Sequence, residues 1–224
     1  KNGDISVYGS VDRVDLMEKD GIKYIRVVDY KTGEKEFKLS NLLSGINLQM
    51  VLYLMAITKN GDEYYGKTVP AGVLYLPSRI GIKDYLSSRN PSQENVEAQK
   101  RYSGKLSGMV LNSPVVLNGM GAEHFPDYLP VSYKKDNSLS GNYYSQKNFK
   151  MLSQIVDGKI IEMGEALHNG EFPVLPSSTS GQAKQCHYCD YRSICGFEDG
   201  DITNEICNEK HNKVLEMLGG DCDE

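Results

Sequence analysis

No stretch of this 224-residue sequence approaches the roughly 18 consecutive apolar residues that a membrane-spanning helix needs, so a helical span is excluded. Cysteine is absent before residue 186. Five cysteines, an odd number crowded after that point, cannot form the even, dispersed disulfide framework of a secreted domain, and a reducing compartment such as the cytoplasm is expected. Histidine is scarce: His124, His168 and His211 stand alone, and only His187 falls among other candidate ligands. Neither a Ser-His-Asp order nor a Gly-x-Ser-x-Gly elbow accompanies them, which removes serine-type nucleophilic catalysis. Overall basic charge is missing too, because 25 basic residues face 30 acidic ones. The acid is local, however: residues 198–224 hold nine acidic and two basic residues, and the rest of the chain sums to +2, enough for a DNA-facing groove. The start, Lys1-Asn2-Gly3-Asp4, has neither an initiator Met nor a leader and reads as a fragment of a longer protein.

What is present suits one large domain, or one domain with an insertion. Residues 5–17 and 22–30 are rich in β-branched and aromatic residues, and Asp20-Gly21 between them is a hairpin signal, so an antiparallel pair is expected. A helix capped by Ser40 or Ser44 should carry Leu42, Leu43, Ile46, Met50, Tyr53, Leu54 and Ile57 and end near Asn60-Gly61. Residues 71–76 read as a buried strand stopped by Pro77. Strand, strand, helix, strand makes an α/β core. Residues 77–143 are rich in Ser, Asn, Gly and Pro and read as an inserted, partly irregular segment. A second long helix is expected over 145–169, closed by Asn169-Gly170.

One constellation is Gly9-Ser10-Val11-Asp12-Arg13-Val14-Asp15, followed by Asp29-Tyr30-Lys31-Thr32-Gly33. With a side-chain period of two, Asp29 and Lys31 share one face at a strand end. A hairpin that places Asp12 beside them makes a hard-oxygen site for Mg²⁺, where Lys31 can orient a water and offset phosphate charge. The bland alternative is a strand-end ion pair with Asp12 in a turn. Asp15 lies three positions from Asp12, on the opposite face, and is expected in a structural ion pair with Arg13. Gln49 and Tyr53, at i and i+4, share a helix face that can bond a phosphate or stack on a base; alternatively Tyr53 is core and Gln49 surface.

These segments, Gly-x-Val-Asp, Val-Val-Asp-Tyr-Lys-Thr-Gly and Gln49-x-x-x-Tyr53, resemble the RecB-type branch of the PD-(D/E)XK nucleases. The resemblance implies a restriction-endonuclease-like α/β fold, a mixed central sheet flanked by helices. Carried over by position, it makes Asp12, Asp29 and Lys31 catalytic, with Asp12, Asp29 and the backbone carbonyl of Tyr30 holding Mg²⁺ or Mn²⁺. Gln49 and Tyr53 become DNA-binding.

The second constellation is Cys186-x₂-Cys189-x₅-Cys195. Such spacing suits thiolate ligation, but three ligands leave a tetrahedral zinc site or a [4Fe–4S] cluster one short. His187, Cys207, Cys222 or a residue upstream could be the fourth. The pattern resembles that of AddB-like nucleases, which implies an iron–sulfur cluster whose fourth cysteine lies before the first catalytic motif. It also implies an upstream helix with a further His or Glu for the metal site. Zinc with Cys207 or His187 is the alternative.

Gly61-Asp62-Glu63-Tyr64-Tyr65-Gly66-Lys67-Thr68 matches a P-loop by letters, yet it follows a helix and precedes a strand, the reverse of what phosphate binding needs. A nucleotide site is not expected there. The expectation for the whole is a nuclease domain over 1–197, with 77–143 inserted and 186–195 the cysteine motif, followed by an acidic tail, 198–224. By resemblance it hydrolyses single-stranded DNA unwound from duplex during double-strand break repair in the bacterial cytoplasm, beside an AddA-like helicase–nuclease partner. A catalytically idle DNA-binding module, a zinc-stabilised interaction domain and a CRISPR-associated nuclease relative are the alternatives.

Overall fold

Asp20 and Gly21 have φ of 52° and 75°, the pair of left-handed residues that a two-residue hairpin of the primed type requires. In the computed structural model, which describes residues 5–32, 36–78, 104–122, 128–178, 183–209 and 211–218, this turn joins β1 (Arg13–Lys19) to β2 (Ile22–Lys31). Pairing is antiparallel and unbroken from Lys19 opposite Ile22 to Arg13 opposite Val28. The first strand begins at Arg13, whereas the sequence pointed to Ile5. Its ladder stops because the side chain of Asp12 accepts the Tyr30 N–H, taking a donor that a main-chain carbonyl would otherwise use.

The expected single helix is two: α1 (Leu39–Leu43) and α2 (Gln49–Asn60). Gly45 and Asn47, at φ 73° and 59°, interrupt a hydrophobic period that continues across the break. Neither serine caps as expected; Ser40 lies inside α1, and the residue before the helix is Lys38. A short turn, α3 (Asp62–Tyr65), leads to β3 (Thr68–Pro77), longer than expected. Pro70 is tolerated inside it because the β2–β3 register shifts at that point, between Ile25 and Arg26.

The chain forms two compact units. One comprises residues 8–37, 49–153 and 223–224. Its sheet has the order β1-β2-β3-β4-β7, with β4 at Ser107–Leu111 and β7 at Tyr143–Tyr144; β2–β3 and β4–β7 are parallel, the other two pairs antiparallel. This is a mixed α/β sheet. Part of the 77–143 stretch is therefore core, supplying β4 and the small hairpin β5 (Val131–Tyr133) and β6 (Leu139–Gly141), while residues 79–103 lie outside the described ones. Helix α2 packs Met50, Val51 and Leu54 onto β2 and β3. On the other face, Val28, Leu74 and Val110 pack with Leu117 of α4 (Pro114–Gly119), Leu129 and Val131. Burying each such side chain contributes about 1.5–3 kcal/mol.

The second unit comprises residues 1–7, 38–48 and 154–222. Helix α5 (Gln146–Asn169) begins in the first unit and ends in this one; Gly170, at φ 70°, stops it where expected. Strands β8 (Ser177–Ser178) and β9 (Asn204–Glu205) pair in parallel. After the short helix α6 (Arg192–Cys195) comes α7 (His211–Met217), which buries Val214 and Leu215 and packs on α1. Much of the acidic 198–224 stretch is thus folded.

Candidate active site

Asp29 and Lys31 project from β2 on the face that buries Ile25 and Val27 completely. As that row leaves the core, the side chains change from apolar to charged. Asp29 is 8 % exposed, and Lys31 Nζ stands 2.5 Å from its Oδ2. Oδ2 is itself buried, with the Lys31 ammonium as its ion-pair partner. The Lys31 ammonium offsets the cost of burying that charge.

The hairpin brings Asp12 to this pair. Counting one residue past the last ladder pair sets Asp12 opposite Asp29, and Asp12 Oδ2 accepts the Tyr30 N–H at 3.0 Å. Asp12 itself is exposed, leaving its second oxygen open. Two carboxylates of different burial and one ammonium now share one end of the sheet. A Mg²⁺ ion is commonly held by one or two carboxylates with waters completing its octahedron, and this donor set fits it. Among the described residues, no group of three or more His, Cys, Asp or Glu side chains converges, so the protein carboxylates here number two.

On the opposite face of the hairpin, Asp15 bridges Arg13 Nε at 2.7 Å and Arg26 Nε at 2.8 Å. The expected Arg13 pairing is present, and Arg26, its cross-strand neighbour, adds a second partner. Burial pushes the Asp15 carboxyl up, but hydrogen bonds and charge from both guanidinium groups outweigh it and hold the carboxyl below its usual value. Asp15, with the Tyr30 hydroxyl, in turn strengthens the hold of Arg13 on its proton. The Tyr30 side chain is 44 % exposed and points away from Asp29, so only its backbone can face the carboxylates.

Gln49 and Tyr53 meet on the first turns of α2, where Gln49 Nε2 donates to Tyr53 Oη at 3.1 Å. Gln49 is exposed and Tyr53 half-buried, so the tyrosine is not simply core. Its ring lies against Gly9, three residues before Asp12, so closely that no Cβ fits there. Tyr75 was not singled out from the sequence, where it reads as one more apolar-strand residue. It is paired with Asp29 across β2–β3, and Lys31 Nζ stands 5.8 Å from its ring centroid. Burial, and secondarily the Asp29 charge, push its hydroxyl up to about 12. Only the parallel pairing of β2 with β3, which side-chain periodicity does not encode, could have pointed to it.

The sequence model of the PD-(D/E)XK nuclease superfamily matches residues 2–196. The chain belongs to that superfamily. Among curated relatives of this nuclease domain, the B-type subunit of the ATP-dependent helicase/deoxyribonuclease of Clostridium kluyveri is 36% identical over 200 residues, covering 87% of this chain and 17% of that protein. The proteins of the same name from Clostridium acetobutylicum and Thermoanaerobacter sp. are 32% and 30% identical over 96% and 97% of the chain, and 19% of each relative. The chain spans less than a fifth of the length of these relatives. None of the described helices is long and apolar enough to cross a membrane.

The cysteines of this nuclease-superfamily chain lie in the second unit. Cys186 sits in a 3₁₀ turn, Lys184–Tyr188, and Cys195 ends α6, whose C-terminus is closed by Gly196 at φ 73°. Between them the Cys186 carbonyl accepts the Cys189 N–H and the Cys189 carbonyl accepts the Arg192 N–H, so the motif is a chain of tight turns. None of the three is in a disulfide, Cys189 and Cys195 are exposed, and among the described residues no three such side chains converge as a metal-holding group. Three sulfurs bring one donor fewer than a cubane or tetrahedral site needs. As for the suggested fourth ligands, His187 Nδ1 faces Arg192 Nη1 at 3.3 Å, the Cys207 N–H bonds Ser44 Oγ, and Cys222 lies outside the described residues. The P-loop look-alike follows α2 and precedes β3, the order that argued against nucleotide binding.

Proposed function

We propose that this domain is the nuclease part of a helicase–nuclease like its helicase/deoxyribonuclease relatives, and that it hydrolyses phosphodiester bonds of single-stranded DNA as an exonuclease. The observation that carries this reading is the Tyr30 N–H bonded to Asp12 Oδ2, which brings a second carboxylate to the buried Asp29–Lys31 pair. Asp12, Asp29 and the Tyr30 carbonyl would hold Mg²⁺ or Mn²⁺, which supplies Lewis-acid polarisation of the scissile phosphate when bound. Lys31, paired with Asp29, orients the attacking water and offsets the charge that builds on the phosphate oxygens. Gln49 and Tyr53 hold the strand, the amide on a phosphate and the phenol ring against a base.

The likeness to these helicase/deoxyribonuclease proteins supports an AddA-like helicase–nuclease as partner and a role in break repair in the bacterial cytoplasm. Within the chain we assign the nuclease domain to 1–197, with the stretch expected as an insertion, 77–143, contributing β4 to its sheet, and 198–224 an acidic extension. Cys186, Cys189 and Cys195 are assigned to a [4Fe–4S] cluster with a structural role only. Three sulfurs do not complete it, and no catalytic step depends on it. Iron and acid-labile sulfide in anaerobically purified full-length protein, lost in Cys189→Ser, test that assignment; zinc in their place refutes it.

The deciding experiment measures Mg²⁺-dependent cleavage of end-labelled single-stranded DNA by the full-length chain, assembled with a partner whose own nuclease is inactivated. Lys31→Ala should lower the rate by about a hundredfold or more with DNA binding retained. Well-folded wild type that binds DNA without cutting it would identify an idle binding module.

A further inference from the structure

Resting on the reading of Asp29 as a metal ligand and Lys31 as catalytic, one buried aromatic next to them has no role so far. Tyr75 is 3 % exposed and is the β3 partner of Asp29, so its ring shares the sheet face of Asp29 and Lys31. The 5.8 Å from Lys31 Nζ to its centroid lies within the ~6 Å reach of a cation–π contact. The ammonium therefore has two attractive neighbours, the Asp29 carboxylate and the face of Tyr75. These respond differently to a divalent ion. Once Asp29 gives its charge to such an ion, it attracts Lys31 less, and the ion repels the ammonium directly. Lys31 is a long, flexible side chain and would swing outward unless something else holds it. The ring is uncharged, cannot compete for the metal, and keeps its quadrupole whatever binds Asp29.

We propose that Tyr75 is a positioning residue whose ring keeps the Lys31 ammonium at the site when Asp29 is engaged by a divalent cation. The ring, not the hydroxyl, does the holding.

The test uses the full-length chain in its complex, with Tyr75 replaced by phenylalanine and then by mono-, di- and trifluorophenylalanine, which drain the ring face at nearly constant shape. Tyr75→Phe should stay within about twofold of wild type in kcat, and the fluorinated series should fall stepwise by about tenfold in all, with KM for single-stranded DNA unchanged. In metal-free protein each fluorine should lower the melting temperature, and the effect should vanish in a Lys31→Met background. A flat kcat series, a large loss in Tyr75→Phe, or equal melting losses with and without Lys31 would each overturn the inference. Lys31→Ala protein that still cuts would instead overturn the active-site reading beneath it.

Discussion

The ring of Tyr53 rests directly on the backbone of Gly9: a Cβ there would fall 2.5 Å from Cε1 and 2.6 Å from Oη. This contact sets the segment leading into Asp12 against the Gln49–Tyr53 face of α2, the face proposed to hold the strand. Gly9→Ala should force the ring to swing away and break the Gln49 hydrogen bond. Affinity for single-stranded DNA should drop about tenfold, read by fluorescence anisotropy, since a stacked base contributes about 1–3 kcal/mol. Unchanged affinity would show that Tyr53 does not touch the strand.

Asp12 has a structural task in accepting the Tyr30 N–H and a proposed chemical one as a metal ligand, and two substitutions separate them. Asp12→Asn keeps an oxygen for the Tyr30 N–H but loses the charge, whereas Asp12→Ala loses both. Melting should be nearly unchanged in Asp12→Asn and correspond to about 1 kcal/mol of lost stability in Asp12→Ala. DNA cleavage should be abolished in both.

Asp15 makes the hairpin sensitive to acid. Its carboxyl is held below the ordinary value, so its contribution is fully present above the unfolded value of about 3.9 and is lost as pH falls through the lower folded one. The urea midpoint of wild type should exceed that of Asp15→Asn near neutrality, and the two should converge below about pH 4. A constant gap across that range would assign the difference to packing.

Gly72 and Gly108 let β3 and β4 approach closely. A Cβ on Gly108 would overlap the Val73 carbonyl and sit 2.9 Å from Leu74 Cα, backbone atoms with no freedom to yield. Gly108→Ala should therefore lower stability by about 1–3 kcal/mol in urea unfolding.

The hairpin was legible in the sequence because Asp-Gly encodes its own turn, and the turn sets the register. Counting back from Lys19 opposite Ile22 reaches Asp12 opposite Asp29, a placement that only the observed ladder supplies. The break at Gly45 and Asn47 was hidden, since hydrophobic period carries over from α1 to α2 while backbone dihedrals do not. Tyr75, and the contact of Gly9 with Tyr53, were unreadable for a related reason. Each acquires its meaning from a partner brought by tertiary pairing, β3 beside β2 and α2 against the segment before β1.

The ladder of β1 and β2 also acts as a safeguard. Side chains alternate across a strand, so a one-residue slip would carry Arg13 to the place of Asp12 and set a guanidinium where an acid belongs. A hairpin closed out of step thus has one carboxylate and a surplus of positive charge, an environment hostile to any divalent ion.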